Sequence, residues 1–316
     1  MKSEILIHPG ELSRKWIDRM ADAGITAIGI HPEGGKASTA ALEKLLLRVQ
    51  DPEYSALLDY AAERGLEIEY EVHAAGYLMP RDLFETHPEY FRMNGECERV
   101  TDWNFCITNP EALDIVAKRA AKLATSLYRS APRFYFWMDD SKDSNCHCPE
   151  CEKISPSDQQ LLVVNAMLRE IKKYIPEAKM AYLAYQQTIP LPETVKPEEG
   201  VFLEYAPFEK YTAKGDDAPM LIERELRMTV PLMEFFGKED VKLLEYWYDN
   251  SLFSGWKKPP KKFILDKEGM DKDIARYKEL GFDYIATFGC FLGEDYDELY
   301  GDKDADLTPL VDAVNG

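Results

Sequence analysis

The chain has 316 residues, 45% of them hydrophobic and 12% aromatic, which is enough to bury one large core or two smaller ones. Its 57 acidic and 38 basic residues give a formal charge of -19, which repels phosphate backbones and anionic lipid and so argues against nucleic-acid and membrane partners. The sequence shows neither a signal peptide nor an apolar run as long as a membrane span, so we expect a cytoplasmic protein.

Short apolar or aromatic runs alternate with helical patterns from one end of the chain to the other. The predicted strands span residues 5–8, 26–31, 66–73, 134–140, 179–185, 201–206, 241–248 and 284–288. The predicted helices include residues 11–23, 55–64, 157–174, 219–236 and 267–280, and one more that begins at Asn109 and Pro110. Gly24, Gly65 and Gly281 follow three of these helices, as is typical of helix ends. Residues 74–108 are predicted to be irregular.

The pattern amounts to about eight strand–helix units without a linker or low-complexity break. Such alternation predicts a parallel sheet, and eight units most simply close into a single (β/α)8 TIM barrel that covers residues 1–316. An open, doubly wound sheet is the alternative, but no G-x-G-x-x-G turn follows the first strand.

Chemistry in a barrel of this kind gathers at the C-terminal ends of the strands. The side chains predicted at these ends are His8, His31, Glu71, His73, Asp139, Asp140, Tyr185, Gln186, Glu204, Tyr205, Glu245, Trp247, Asp249, Phe288 and Cys290. Acids, amides and histidines mixed with Trp and Tyr suit a neutral, polyhydroxylated ligand, because aromatic faces stack on the C–H faces of sugars while acids and amides bind hydroxyls. The sequence contains no Gly-rich phosphate loop or basic clamp, which argues against a phosphorylated substrate.

Asp139 and Asp140 follow an aromatic strand that includes Trp137. Two carboxylates that flank a glycosidic bond are the usual means of hydrolysing it, provided that one of them is kept protonated. Neighbouring residues of a strand point to opposite faces, so the pair shares a site only if the strand has already ended, and the sequence leaves open which acid faces the barrel axis. Glu204 and Glu245 are the candidates to face the pair from later strands. Each acid could instead be a helix cap or part of a structural ion pair.

Cys146, Cys148 and Cys151 form a C-x-C-x-x-C cluster. Three thiolates this close can bind Zn²⁺ tetrahedrally with a fourth ligand, and Cys106 is the first candidate because it lies just before the helix that leads to the fourth strand. The reserves for the fourth position are Cys97, His147 and His87. Such a site would be structural and would hold the loop beside the acids. Free thiols, or a disulfide that includes Cys106, are the alternatives.

Several motifs resemble those of a known family. They are His87-Pro-Glu-Tyr90-Phe91, Gly95, Cys106-Ile-Thr-Asn109-Pro-Glu111, Trp137-Met-Asp139-Asp140, the three clustered cysteines, Leu244-Glu245-Tyr246-Trp247 and Tyr284 to Gly289. From about His73 onward the chain resembles domain of unknown function 4838, a glycoside-hydrolase-like barrel family related in kind to the family 163 endo-β-N-acetylglucosaminidases. The resemblance implies that Asp139 orients the substrate acetamido group as an internal nucleophile and that Asp140 is the general acid. Many relatives carry an accessory domain and an export signal that this sequence lacks, which favours small, imported saccharides.

We therefore predict a glycoside hydrolase, with a β-N-acetylhexosaminide as the candidate substrate. Asp140 is the predicted acid/base and Asp139 the acetamide-orienting or second carboxylate, while Glu204 or Glu245 is a substrate contact or alternate catalyst. The predicted saccharide contacts are His31, His73, Trp137, Tyr185, Gln186, Tyr205, Trp247 and Asp249. A structural zinc ion is the expected cofactor, and an organic cofactor is not expected. The alternatives are a non-catalytic saccharide-binding barrel and a metal-dependent hydrolase whose ion is bound by residues among Asp139, Asp140, His31 and His73.

Overall fold

The computed structural model describes residues 1–102, 104–129, 131–139, 141, 143–301 and 305–316. Eight strands form a closed barrel in chain order, and the strand pairs are parallel. The strands are β1 (Lys2–Ile7), β2 (Ala27–Ile30), β3 (Glu67–His73), β4 (Arg133–Trp137), β5 (Lys179–Ala184), β6 (Val201–Tyr205), β7 (Lys242–Glu245) and β8 (Tyr284–Phe288). The predicted (β/α)8 barrel is confirmed, and the doubly wound sheet is not what the chain forms.

Helices follow the strands along the chain. The α-helices are α1 (Arg14–Ala23), α2 (Ser38–Arg48), α3 (Pro52–Glu63), α4 (Ala75–Leu78), α5 (Pro110–Leu127), α6 (Pro156–Ile171), α7 (Glu209–Thr212), α8 (Ala218–Arg227), α9 (Thr229–Phe236), α10 (Asn250–Phe253), α11 (Lys267–Leu280), α12 (Glu294–Tyr300) and α13 (Thr308–Asn315). Short 3-10 helices occupy Pro9–Glu11, Gly35–Ala37, Arg81–Glu85, Pro88–Tyr90, Cys151–Lys153 and Gln186–Thr188. Across the described ranges, no helix combines the length and the apolar character that a membrane crossing requires.

Local capping chemistry sets several helix ends where the sequence predicts them. The Asn109 side chain accepts hydrogen bonds from the first turn of α5, and Pro110 is its first residue. Gly281 ends α11 with a φ of 102°, a left-handed conformation that costs glycine little. The predicted helix at 219–236 is two helices instead, with Met228 as the junction between α8 and α9.

Two predicted strands end earlier than expected because their next backbone groups leave the sheet. β4 ends at Trp137 because the Asp139 N–H donates to the Asn104 side chain (2.8 Å) and not to a neighbouring strand. β7 ends at Glu245 because the chain then turns, with the Asp249 N–H donating to the carbonyl of Tyr246 (3.1 Å). The predicted irregular segment at 74–108 contains α4, two 3-10 helices and antiparallel bridges.

The residues group into two compact units that are interleaved in the sequence. The first unit comprises Met1–His31, Arg48–Tyr70 and Lys238–Gly316. In it β1 pairs with β2 and β8, and β7 pairs with β8. The second unit comprises Pro32–Leu47 and Glu71–Gly237. In it β5 pairs with β4 and β6, and the end of β3 pairs with β4.

Candidate functional site

A buried hydrogen bond in the second unit fixes which face of β4 lies inside the barrel. The Trp137 indole Nε1–H donates to Glu204 Oε2 on β6 (2.7 Å), and Glu204 is completely buried. β5 lies between β4 and β6 in the sheet, so this contact runs through the barrel interior. The rings of Tyr135 on β4 and Phe202 on β6 also meet, edge to face, with centroids 5.6 Å apart. Tyr135 and Trp137 therefore point inward.

Asp139 lies two residues beyond Trp137 and is almost fully buried. Its backbone N–H donates to Asn104 Oδ1 (2.8 Å), and its carbonyl accepts from Ser144 Oγ (2.9 Å). Asn104 Nδ2 in turn donates to the carbonyl of Ser144 (3.1 Å), so one amide side chain holds both ends of the turn. These bonds fix the backbone that carries the Asp139 carboxyl. Asp140, the other predicted acid, lies outside the described residues.

The nearby guanidinium of Arg81 supplies positive charge to this region. Burial lowers the pKa of Arg81 to about 10, and the charges of Asp139 and Asp102 oppose that decrease. A pKa of about 10 leaves the guanidinium protonated at neutral pH. The charges of Arg81 and Asp139 therefore attract each other.

A small pocket with a cavity volume of about 40 Å³ includes Asp139 in its lining. Six of the lining side chains are amides, namely Asn104, Asn145, Gln159, Gln160, Gln186 and Gln187. The other lining residues are Ile107, Met138, Pro156, Leu183, Tyr185 and Thr188, so the described part of the lining carries no lysine or arginine. This volume holds a substituent rather than a sugar ring, and the amides suit a neutral polar group.

Tyr185 and Gln186 enter this lining where β5 ends. Gln186 has a φ of 47°, an uncommon backbone conformation for a residue other than glycine. Its side-chain Nε2 donates to the Tyr185 hydroxyl (2.9 Å). The two predicted saccharide contacts are thus held together at the pocket.

His73 ends β3 in the same unit and is nearly buried. Its Nδ1 lies 3.0 Å from the carbonyl oxygen of Met138, which can only accept, so Nδ1 carries the proton and Nε2 is the acceptor of the neutral ring. The ring meets Trp137 edge to face, with centroids 5.2 Å apart. His73 contacts the β4 segment but is not in the pocket lining.

Tyr205 is placed differently from its neighbour Glu204. Consecutive strand residues point to opposite faces, so an inward Glu204 turns Tyr205 outward. Its buried hydroxyl donates to the carbonyl of Glu225 on α8 (3.1 Å). The structure thus packs Tyr205 against a helix and not beside Glu204.

The predicted site residues of the first unit are mostly engaged in packing. Trp247 Nε1 donates to Asp273 on α11 (3.0 Å). Asp249 caps α10 by accepting from the backbone N–H groups of Ser251 and Leu252, and burial raises the pKa of this carboxyl. Glu245 is fully buried at the end of β7.

His31 belongs to an aromatic group at the strand ends of the first unit. Its ring meets Phe288 edge to face at 5.1 Å and stacks on His8 at 6.1 Å. Glu11 is a further residue of this region that was not among the predicted site residues; its carboxyl, with His8 and Cys290, offers ligand atoms within 4.8 Å of one another. The spacing of Glu11 three residues after His8 was the available signal. No group of metal-capable side chains found among the described residues contains Asp139, His31 or His73.

Four cysteines of the second unit come together in a group that we call the thiol cluster. Its members are Cys106, Cys146, Cys148 and Cys151, all buried, with sulfur atoms within 4.8 Å of one another. None of the six cysteines of the chain forms a disulfide. Hydrogen bonds from Cys146 and Cys151 lower the pKa of Cys106. The three reserve residues lie outside this group: Cys97 is exposed, His87 faces Glu89, and His147 faces Asp143 and Glu152.

Comparisons with known proteins give one family and a set of similar folds. The family model described as "Domain of unknown function (DUF4838)" matches residues 47–223, more than half of the chain. No curated protein matches the sequence. A cold-adapted β-galactosidase from Rahnella sp. R3 has 12% identity and a TM-score of 0.56, covering 99% of this chain and 57% of its own. The chain thus spans little more than half the length of that enzyme.

Two further structures are similar over more of their length. A GH5-4 broad specificity endoglucanase from Clostridium longisporum has 11% identity and a TM-score of 0.55, covering 96% of this chain and 86% of its own. Thermotoga maritima Cel5A, solved with cellobiose, has 13% identity and a TM-score of 0.52, covering 100% of this chain and 96% of its own. At this identity the likeness establishes a glycoside-hydrolase-like barrel fold.

Proposed function

The chain belongs to the DUF4838 family, and on that premise we propose that it is a glycoside hydrolase that acts at the C-terminal end of β4. The observation that carries the proposal is the placement of Asp139, a nearly buried carboxyl in an amide-lined pocket at the end of an inward-facing strand. Catalytic groups of (β/α)8 enzymes lie at strand ends of this kind. The glycoside-hydrolase-like fold supports the same reaction class.

We assign the two adjacent acids different roles. Asp140 donates a proton to the leaving-group oxygen as the glycosidic bond breaks. Asp139 accepts a hydrogen bond from the N–H of a substrate acetamido group and orients the acetamido oxygen for attack on the anomeric carbon. Water then opens the cyclic intermediate, with Asp140 taking up the proton that water releases. The candidate substrate is accordingly a β-N-acetylhexosaminide.

The pocket geometry supports an acetamido group as the occupant. The cavity of about 40 Å³ suits a small substituent, and its lining mixes amides with apolar groups such as Met138 and Leu183. An acetamido group presents an N–H that the Asp139 carboxyl can accept and a carbonyl to which a lining amide can donate. Its methyl group suits the apolar side chains of the lining. Tyr185 and Gln186 are then contacts of this group or of the sugar that bears it.

The remaining predicted residues have supporting roles in this proposal. Trp137 and His73, whose rings meet edge to face, are candidate saccharide contacts at the ends of β4 and β3. Glu204 is an alternate catalyst, although its bond to Trp137 ties it into the buried interior. In the first unit, His31 and Glu245 remain candidate contacts at strand ends, whereas Trp247 and Asp249 act first as packing or capping residues. In the second unit, Tyr205 acts first as a packing residue.

The test is hydrolysis of a panel of aryl glycosides that includes N-acetyl-β-hexosaminides, with the wild type, Asp139→Asn and Asp140→Asn. Each substitution should lower kcat by about 10²–10⁴-fold, the usual contribution of a positioned acid or base. Asp143→Asn is the matched control, because Asp143 lies in the same loop, is exposed and should leave the rate within about twofold.

Two results would contradict the assignment: no turnover of any glycoside in the panel, or turnover that neither Asp139→Asn nor Asp140→Asn reduces. Saccharide binding without cleavage, measured by calorimetry, would identify a non-catalytic saccharide-binding barrel instead.

A further inference from the structure

The spacing of sulfur atoms in the thiol cluster matches that of a tetrahedral metal site. The Cys106 sulfur lies 3.7 Å from that of Cys148 and 4.0 Å from that of Cys151. A regular tetrahedron of thiolates at the zinc–sulfur distance of about 2.3 Å has sulfur–sulfur edges of about 3.8 Å. A disulfide needs about 2.05 Å, so these sulfurs are spaced for a shared ion and not for a covalent bond.

Donor groups surround the cluster in the way that a negatively charged metal centre requires. Four thiolates around Zn²⁺ leave a net charge of about -2, which must be compensated if the site is buried. The Met93 N–H donates to the Cys146 sulfur (3.3 Å), and the Thr108 hydroxyl lies 3.2 Å from the Cys151 sulfur. The Arg99 guanidinium lies 3.9 Å from the Cys146 sulfur and supplies positive charge.

We propose that Cys106, Cys146, Cys148 and Cys151 bind one Zn²⁺ ion that is structural. Four protein thiolates leave no open position for water or substrate, which is the arrangement of structural rather than catalytic zinc sites. The inference stands independently of the proposed hydrolase activity, because it rests on the sulfur geometry and the surrounding donors alone.

The ion fastens two segments that are far apart in the sequence. One is the segment 91–108, which contributes Cys106, and the other is the loop 143–151, which contributes the other three ligands. Few regular elements join these segments, although the His147 N–H donates to the carbonyl of Met93 (2.8 Å) and Arg92 donates to the carbonyl of Asp143 (3.0 Å). A metal crosslink therefore supplies order that short irregular segments lack.

The two fastened segments also carry the groups that hold Asp139. Ser144 lies two residues before the first loop ligand and donates to the Asp139 carbonyl (2.9 Å). Asn104 lies two residues before Cys106 and accepts from the Asp139 N–H (2.8 Å). Loss of the ion should therefore loosen the Asp139 turn before it affects the strands.

The first experiment measures metal in the purified chain by elemental analysis. We expect about one zinc ion per chain, released when a mercurial reagent titrates the thiols and retained under mild chelation. Cys97→Ser is the matched control, because Cys97 is an exposed cysteine outside the cluster and its loss should leave the zinc content unchanged. Cys106→Ser and Cys148→Ser should each lower zinc retention by at least tenfold.

A second measurement covers the case in which the ligand variants do not fold. The wild-type chain is exchanged with Co²⁺, and tetrathiolate coordination should give intense sulfur-to-cobalt charge-transfer bands together with tetrahedral d–d bands. Three results would overturn the proposal: a reduced wild-type chain that takes up no zinc, a cobalt spectrum without thiolate bands, or iron in place of zinc. Equal zinc retention by folded Cys106→Ser and the control would also overturn it.

Discussion

Two groups of buried ionisable side chains in this chain balance their charge in different ways. In the first unit, the fully buried Lys242 ammonium bonds to Glu4 and lies 3.5 Å from Glu69, and both carboxylates are fully buried as well. In the second unit the thiol cluster gathers four cysteine side chains, with Arg99 at its edge. The lysine group therefore carries its own central cation, whereas the thiol cluster, in our proposal, takes one from solution. On that proposal the first depends on folding alone and the second depends on metal supply.

The largest expected loss of stability comes from removing the buried Lys242 ammonium. Lys242→Met leaves Glu4 and Glu69 buried without it, and breaking a buried ion pair in this way costs about 3–5 kcal/mol. Urea unfolding of the wild type and the variant measures this loss in free energy of unfolding. Lys267→Met, which removes an exposed pair with Asp271, is the control and should cost less than about 0.5 kcal/mol.

Hydrogen exchange then separates the two regions. Lys242→Met should increase exchange in β1 and β7, while zinc removal should increase it in 91–108 and 143–151. A loss below about 1 kcal/mol for Lys242→Met would show that Glu4 and Glu69 do not need the lysine.

A smaller loss of stability is expected at Glu204, a buried carboxyl whose hydrogen-bond donor is neutral. Trp137→Phe keeps the aromatic ring but removes the Nε1–H that donates to Glu204 (2.7 Å), which leaves a fully buried acceptor short of a bond. The expected cost is about 1–3 kcal/mol, measured by urea unfolding. Trp256→Phe is the control, because Trp256 is exposed and its loss should change stability by less than about 0.5 kcal/mol. Equal values for the two variants would contradict a stabilising role for this bond.

The smallest expected effect is a pH dependence of stability due to Glu11, a carboxyl of the first unit that accepts hydrogen bonds from backbone N–H groups. Burial raises its pKa from 4.5, although the bonds from the His8 and Phe291 N–H groups and the charges of His8 and Lys258 oppose this. The folded state thus binds the proton more tightly than the unfolded state. The stability that this contributes is fully present below pH 4.5 and is lost as pH rises through the folded pKa.

Urea unfolding at a series of pH values checks this prediction. The difference in unfolding free energy between the wild type and Glu11→Gln should decrease as pH rises above 4.5, by up to about 1.4 kcal/mol per pH unit within that window. Glu298→Gln, at an exposed position, is measured alongside as the control. A Glu11→Gln difference that is flat, or that increases, would be inconsistent with a raised pKa.

Much of the fold could be predicted because local sequence patterns determine where its helices and strands begin and end. The predicted limits of α11 and β8 coincide with those observed, since a terminal glycine and a β-branched or aromatic run act over a few residues. The predicted end of β4 lies three residues beyond the observed end, because the Asp139 N–H donates to Asn104, a side chain distant in the sequence, and not to a neighbouring strand. The roles predicted for Asp139 and Asp140 remain predictions.

The sequence by itself determined the alternation of strands and helices, the family, and the C-x-C-x-x-C group, because each is a matter of residue type and short spacing. Only the tertiary structure decided that Trp137 and Glu204 face inward while Tyr205 faces α8, since either side of a strand could have faced the axis. It also decided that Cys106 lies with the three later cysteines. Closure of the barrel and packing of α5 against α6 set these contacts, and both act between residues far apart in the chain.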